Sequence, residues 1–415
     1  MRVLIVALGT MGDVAPYTGL AARLRAGGHD VTVAAYPKFA EQIRSAGVEF
    51  REISGDPTVI GRWTQAENGS QAMRSMKEDV IDRGEAIREV ATQGEAEVLL
   101  LSLAALPGLQ VAESLGLPCL GVFLEPIYPT AEFPPAFLGV TGQLGPLRNR
   151  AANALLHGVF GAVLNGATNR LRAQLGLRPL NRRGLRDQMA ALPVLHGISP
   201  SLLPRPADWP ATMEMSGFFW PTVRPEWQPA AELVDFLAAG PPPVFVSFGS
   251  RRMSDADAAR IAGLVDEALR RTGMRGVIQA GWAGLAGRSA STITIDETSY
   301  DWLFPQMAAV VHHCGSGTTA AGLRAGVPTV GVPIIGSQPL WAGRIAALGA
   351  GPAPIRYKKL SATRLTAAIS AAVSQPSHRA AAQELSRRMA AEDAAGDVLA
   401  AVDRIAARTV PGERV

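Results

Sequence analysis

The stretch that decides the fold is Val310-Val311-His312-His313-Cys314-Gly315-Ser316-Gly317-Thr318-Thr319. Its apolar start reads as a short buried strand. A glycine-containing turn follows, and then a helix over 319–324. Such a turn aims free backbone N–H groups outward, and the helix dipole adds partial positive charge at the same point. Together they form a site for a phosphate or diphosphate. The hydroxyls of Thr318 and Thr319 and the imidazole of His313 are within reach of the same anion. The next strand, 327–332, ends at Pro333. A loop then carries Gly336-Ser337-Gln338-Pro339, followed by a helix through Trp341 and Arg344. An anion cradle and a polar loop thus project from neighbouring strand ends, where doubly wound sheets bind nucleotides. Each piece alone has a plainer reading. Gly-x-Gly before a helix is a weak signal, and a lone histidine is more often a hydrogen-bonded, partly buried side chain. The ordered string from Asp301 to Arg344 gives them weight.

Further out, the N-terminus reads as a strand (3–7), a loop (9–13), a helix (16–26) and a second strand (31–35). Pro16 suits a first helical turn and Gly27-Gly28 its end. This β-α-β unit predicts a parallel sheet. Strands at 98–102 and 118–123 flank a helix at 109–115, and 126–190 mixes proline-rich loop with helical patterns. Pro204-Arg205-Pro206 and the Trp/Pro-rich run 220–229 read as a stiff linker. The α/β pattern then restarts with a strand at 244–248, a helix at 255–271 opened by Ser254 as N-cap, and a strand at 277–280. Two helices, 377–391 and 393–407, close the chain, with a kink at Ala394-Ala395-Gly396. The expected division is a first domain at 1–218, a linker at 219–230, a second domain at 231–392 and a closing segment at 393–415.

A length of 415 residues exceeds one ordinary core and fits two domains. A hydrophobic content of 47% with 18% charge marks a folded chain rather than a disordered one. The net charge of +4 is small for this length, and no basic run with interleaved aromatics argues for nucleic acid. The two cysteines, Cys119 and Cys314, have no zinc or redox spacing and fit reduced thiols in the cytoplasm. The apolar run 3–8 is too short for a signal peptide, and no stretch reads as a membrane span. A homo-oligomer is compatible with the sequence, which does not set the oligomeric state.

Four strings carry a family likeness: Asp301-Trp302-Leu303-Phe304-Pro305-Gln306, His312 to Thr319, Gly322-Leu323-Arg324-Ala325-Gly326-Val327-Pro328-Thr329, and Gln338-Pro339-Leu340-Trp341. They resemble glycosyltransferases of the large family that includes sterol glucosyltransferases and the enzymes that glycosylate bacterial antibiotics. Gly9-Thr10-Met11-Gly12-Asp13-Val14-Ala15-Pro16-Tyr17 resembles that family's opening loop, and Val246-Ser247-Phe248-Gly249-Ser250 also matches. The resemblance implies two Rossmann-like domains facing across a cleft (the GT-B arrangement), with the last helix crossing back to the first domain. It implies a UDP- or dTDP-sugar donor and a lipophilic small-molecule acceptor.

Sugar transfer needs the leaving diphosphate stabilised, the acceptor deprotonated and water excluded. For the diphosphate the candidates are Gly315, the amides of Ser316, Gly317 and Thr318, the hydroxyls of Thr318 and Ser250, and His313. The sole Asp-x-Asp, Asp255-Ala256-Asp257, opens a helix, where acidic residues are common for the dipole alone; no metal or other cofactor is required. For the base the candidate is Asp13. Local sequence fits a helix N-cap equally well, and the resemblance favours catalysis. Many relatives carry Asp-Gln where this chain has Ser337-Gln338, and there the pair bonds the donor sugar's hydroxyls. Loss of the carboxylate points to a deoxysugar donor, or else to a water-filled gap with glucose retained. Thr298-Ser299 stand in the loop that frames the nucleobase, where sterol-type relatives differ, so uracil and thymine both remain open. Met11, Phe133 and Phe137 are the candidate acceptor contacts. Two other functions fit the same architecture: a nucleotide-sugar epimerase, and a non-catalytic homologue that stabilises a partner.

Overall fold

The computed structural model describes residues 1–54, 69–140, 142, 144–222, 227–249, 254–281, 287, 289, 291–296 and 298–409. Among these, two all-parallel sheets organise the chain. The first contains β1 (Arg2–Val6), β2 (Asp30–Ala35), β3 (Glu49–Glu52), β4 (Val98–Leu101), β5 (Cys119–Gly121), β6 (Val194–His196) and β7 (Met213–Met215). Its order is β3-β2-β1-β4-β5-β6-β7. The second contains β8 (Val244–Ser247), β9 (Gly276–Gln279), β10 (Thr292–Ile295), β11 (Ala309–His312) and β12 (Thr329–Gly331), in the order β10-β9-β8-β11-β12. The central strands are apolar on both faces. All four residues of β4, β8 and β11 are buried, as a parallel sheet covered by helices on both sides requires.

In the first unit the helices are α1 (Met11–Ala26), α2 (Ala40–Ser45), α3 (Gly69–Gln93), α4 (Gly108–Leu115), α5 (Pro146–Gln174) and α6 (Arg182–Ala191). The second unit has α7 (Ala231–Ala238), α8 (Asp255–Thr272), α9 (Tyr300–Leu303), α10 (Ser316–Arg324), α11 (Gln338–Ala347), α12 (Ala362–Ser374) and α13 (Pro376–Met389). α14 (Ala394–Thr409) closes the chain. Ser254 caps α8 as expected, accepting from the Asp257 amide.

Two expectations change. α1 begins at Met11, not Pro16: Thr10 is the N-cap and Asp13 the third helical residue, joined in a capping box. Pro16 lies inside this helix, at the cost of one backbone donor. Pro204-Arg205-Pro206 is not linker. The Arg205 guanidinium donates to the carbonyls of Pro206, Trp209, Pro210 and Met213. It thereby fastens the segment to β7, the edge strand of the first sheet.

The C-terminal helix does return to the first unit. Val398 and Val402 are fully buried in the same core as Val3, Val31 and Leu24, and His29 Nε2 lies 2.9 Å from Asp403 Oδ1. A second core joins the units: Phe123, Phe133, Trp209 and Met213 from the first cluster with Cys314, Leu323, Trp341 and Ile345 from the second. Arg344 Nε donates to the Leu202 carbonyl at 2.8 Å, and the Arg324 guanidinium stacks 4.3 Å above the Trp220 ring. The carboxyl-terminal strand ends of both sheets carry the loops described next.

Candidate active site

The turn from β11 to α10 is held from within. Cys314 takes the left-handed conformation, φ 62°, rare outside glycine, and its amide donates to His312 Nδ1 at 2.9 Å. Burial, reinforced by His313, pushes His312 down to about 3. It is therefore a neutral structural acceptor rather than an anion ligand. Gly315 caps α10 without a side chain, and the helical ladder starts with the Thr319 amide bonding Gly315 O at 2.9 Å. Among the described residues the amides of Ser316, Gly317 and Thr318 have no acceptor. They are the orphan donors of a helix N-terminus, and Gly317 is exposed. The Thr319 hydroxyl is buried and unpaired.

His313 packs against this turn and the one after β8. A Cβ on Gly249, whose φ is +66°, would collide with His313 Cε1 and lie 2.8 Å from Nε2; one on Gly315 would lie 2.7 Å from Nε2. Burial lowers His313 to about 4, and its Nδ1 is buried without a partner. It offers a neutral imidazole. Ser250 lies outside the described residues. Thr298 and Ser299 follow β10, at the edge of the second sheet opposite β12. Both are half-buried, and Ser299 caps α9.

Across the cleft, Asp13 Oδ2 accepts from the Thr10 amide at 2.7 Å and the Thr10 hydroxyl at 2.9 Å. Its Oδ1 takes no hydrogen bond among the described residues. A Cβ at Gly9, φ +148°, would run into the Asp13 side chain, so glycine is what lets the loop wrap the carboxyl. Burial raises the Asp13 pKa above its ordinary value, against the lowering effect of the two Thr10 bonds.

Sequence reasoning missed Glu125, four residues beyond the end of β5. Ser337, the N-cap of α11, donates its hydroxyl to Glu125 Oε1 at 2.7 Å. The other oxygen, Oε2, is shielded from solvent and has no partner of good geometry; the nearby Trp341 Nε1 is likewise unpaired. Burial, first, and nearby Asp13 raise Glu125 to about 8 despite the lowering influence of Ser337 and Trp341, so the carboxyl is protonated at neutral pH. One signal existed: Glu125 is the sole charged residue between 117 and 131, in an apolar run behind a buried strand. A carboxyl thus does stand at Ser337, supplied by the other unit.

Gln338 Oε1 accepts from the amides of Ile334 and Ile335, at 2.8 and 3.1 Å. Its carbonyl therefore braces the loop instead of facing a ligand, which leaves Nε2 without a hydrogen bond among the described residues. Phe137 is 49% exposed and lies beside Gly336. Phe133 is 3% exposed and packs edge-on against Trp209. The acceptor surface expected there is core, because the loop turns this ring inward. Met11, half-buried, leans on the core of the first unit. No cluster of three or more potential metal ligands occurs among the described residues, and no described helix is long and apolar enough to cross a membrane.

Two parallel α/β sheets, with a helix N-terminus bearing free amides on one and half-buried carboxyls on the other, define a two-unit α/β architecture. Residues 3–134 match the glycosyltransferase family 28 N-terminal domain, and residues 292–405 match the erythromycin biosynthesis protein CIII-like C-terminal domain. The chain is 33% identical to O-mycaminosyltylonolide 6-deoxyallosyltransferase of Streptomyces fradiae, over 94% of each chain. It is 32% identical to the sterol 3-beta-glucosyltransferase UGT80A2 of Arabidopsis thaliana, over 95% of this chain, and spans 64% of that relative's length. The solved glycosyltransferase VinC in complex with dTDP superposes with a TM-score of 0.67 at 20% identity, covering 98% of this chain and 100% of that one. The chain belongs to the GT-B glycosyltransferase family that includes the sterol and antibiotic glycosyltransferases.

Proposed function

We propose that this protein is an inverting, metal-independent glycosyltransferase that moves a sugar from a UDP or dTDP donor to a lipophilic small molecule. The first unit, 1–218, takes the acceptor and the second, 231–392, the donor. The observation that carries the reading is the convergence of two loops from different sheets. Asp13 acts electrostatically on Glu125, and Glu125 is hydrogen-bonded to Ser337 beside the anion cradle. A sugar whose diphosphate rests on Ser316 to Thr318 would have its reacting carbon in the space between. The solved relative with dTDP supports the nucleotide class, and the names of the curated relatives support a polyketide-like or sterol-like acceptor.

In this reading Asp13 Oδ1 takes the acceptor proton. The acceptor oxygen forms its bond to the anomeric carbon as the carbon–oxygen bond to the diphosphate breaks. The negative charge that develops on the diphosphate meets the three free amides, the Thr318 hydroxyl and neutral His313, donors that are fixed before the reaction. Thr10 holds the base in one rotamer, and the shared core around Phe123 and Trp341 limits water. The test is incubation with UDP- and dTDP-sugars and a panel of hydrophobic alcohols, read by mass spectrometry and NMR. A glycoside of inverted anomeric configuration is expected. An epimerised donor with no glycoside would replace the reading with an epimerase, and no conversion of any donor with a partner-stabilising role.

A further inference from the structure

We propose that Glu125 is a specificity-determining residue that reads one hydroxyl of the transferred sugar from the acceptor side of the cleft, with Ser337 as its positioning residue. The inference rests on the donor reading above and deepens it. Glu125 follows β5 and Ser337 follows β12, so their 2.7 Å hydrogen bond joins the carboxyl ends of two different sheets. β12 is the parallel neighbour of β11, whose carboxyl end carries the anion cradle on the same side of the sheet. Glu125 is also close enough to Asp13 to be perturbed by it. A group set between a diphosphate cradle and a base faces the sugar, not the nucleobase.

The bonding state of the carboxyl points the same way. Oε1 is taken by Ser337, while Oε2 is shielded and has no hydrogen bond of good geometry, the neighbouring Trp341 Nε1 being poorly aligned with it. A half-buried, half-satisfied acid is a poor clasp for two domains, because the poorly paired oxygen opposes burial. It is a good receptor for one hydroxyl, which completes its hydrogen bonding on arrival. Burial keeps the acid protonated near neutrality, so it presents both a donor and an acceptor. A sugar that lacks the matching hydroxyl leaves the acid unpaired, and sites of this kind discriminate more strongly than apolar pockets do. Nothing in the local sequence around Ser337 announces this, since its partner lies 212 residues away.

The experiment measures kcat/KM for donor pairs that share a nucleotide and differ at one hydroxyl, such as dTDP-glucose against its 6-, 4- and 3-deoxy forms. The proteins are wild type, Glu125→Ala, Glu125→Gln, Ser337→Ala and the double variant Glu125→Ala/Ser337→Ala. The wild type should discriminate at least one pair about tenfold or more. Glu125→Ala and Ser337→Ala should reduce that ratio below about threefold, and the double variant should reduce it no further. Glu125→Gln, isosteric and able to hydrogen-bond, should keep an intermediate ratio. The dissociation constant for dTDP alone should stay within about twofold throughout, which also certifies folding. A ratio unchanged in Glu125→Ala, with both donors slowed equally, would reduce Glu125 to an interdomain clasp. A wild type indifferent to every single-hydroxyl change would also overturn the proposal. Failure of the wild type to bind either UDP or dTDP would instead remove the donor reading, and this inference with it.

Discussion

Asp13→Asn separates the structural role of this side chain from its proposed role as the base. Asp13 Oδ2 takes both Thr10 bonds, and the Asn amide oxygen can take the same two, so the capping box survives. Gly9 leaves room for a side chain of this size. Stability should therefore be nearly unchanged, whereas Asp13→Ala removes the acceptor of both Thr10 bonds in the capping box and should cost about 0.5–2 kcal/mol. For a unit of roughly 200 residues that is a fall in Tm of about 2–4 °C per kcal/mol. Catalysis should respond in the opposite proportion. Asn cannot accept the acceptor's proton, so turnover should fall about 10²–10⁴-fold in both variants, or roughly 2.7–5.4 kcal/mol of barrier at 1.36 kcal/mol per tenfold. Affinity for dTDP should not move, because the proposed nucleotide site is on the other unit. The assay is steady-state glycoside formation, with thermal unfolding and dTDP titration on the same preparations. In wild type, the acidic limb of kcat/KM should lie above the ordinary aspartate value of 3.8, since burial raises Asp13. An Asn variant with activity within a few-fold of wild type would refute the reasoning and leave Asp13 only its place in the capping box.

Three further outcomes follow from the same geometry. His313→Ala should weaken dTDP binding or turnover by about 1–3 kcal/mol, the loss of one buried hydrogen bond, as read by calorimetric titration and initial rates; values equal to wild type would take His313 out of the cradle. Gly249→Ala combines a φ of +66° with a Cβ collision against the His313 ring, so it should displace the imidazole and lower donor affinity at least as much as His313→Ala does, while an Ala variant with full affinity would mean that the ring is not held there. Glu125 is raised from 4.5 to about 8 in the folded state, so the native protein holds this proton more tightly than the unfolded chain. That stabilising contribution is complete below pH 4.5 and is lost as pH rises to about 8. Denaturant unfolding between pH 5 and 9 should show Glu125→Gln with a flatter pH dependence and greater stability than wild type above pH 8, and parallel curves would contradict the protonated acid.

The parts of the site that sequence reveals are those built from neighbours in the chain. The β11–α10 cradle was legible because an apolar strand, two glycines and a helix follow one another within ten residues. The β1-α1-β2 unit was legible for the same reason. The start of α1 was misplaced because Pro16 suggests a first turn, whereas the reciprocal Thr10–Asp13 capping box carries the helix five residues further back. β6 and β7, three residues each, are too short to show a period of two. Phe133 and Phe137 look alike in sequence; only the path of the loop decides that one is core and the other exposed. Ser337 read alone marks a lost carboxylate. Its pairing with Glu125 joins β5 to β12, a contact that no periodicity encodes.

The measurement that tests the central claim most directly is a crystal structure of the protein with dTDP or UDP. The account predicts diphosphate oxygens about 2.7–3.1 Å from the amides of Ser316, Gly317 and Thr318, with His313 against the same group and the sugar-bearing end pointed at Glu125 and Asp13. A nucleotide found on the first sheet, or with its diphosphate away from the N-terminus of α10, would contradict it.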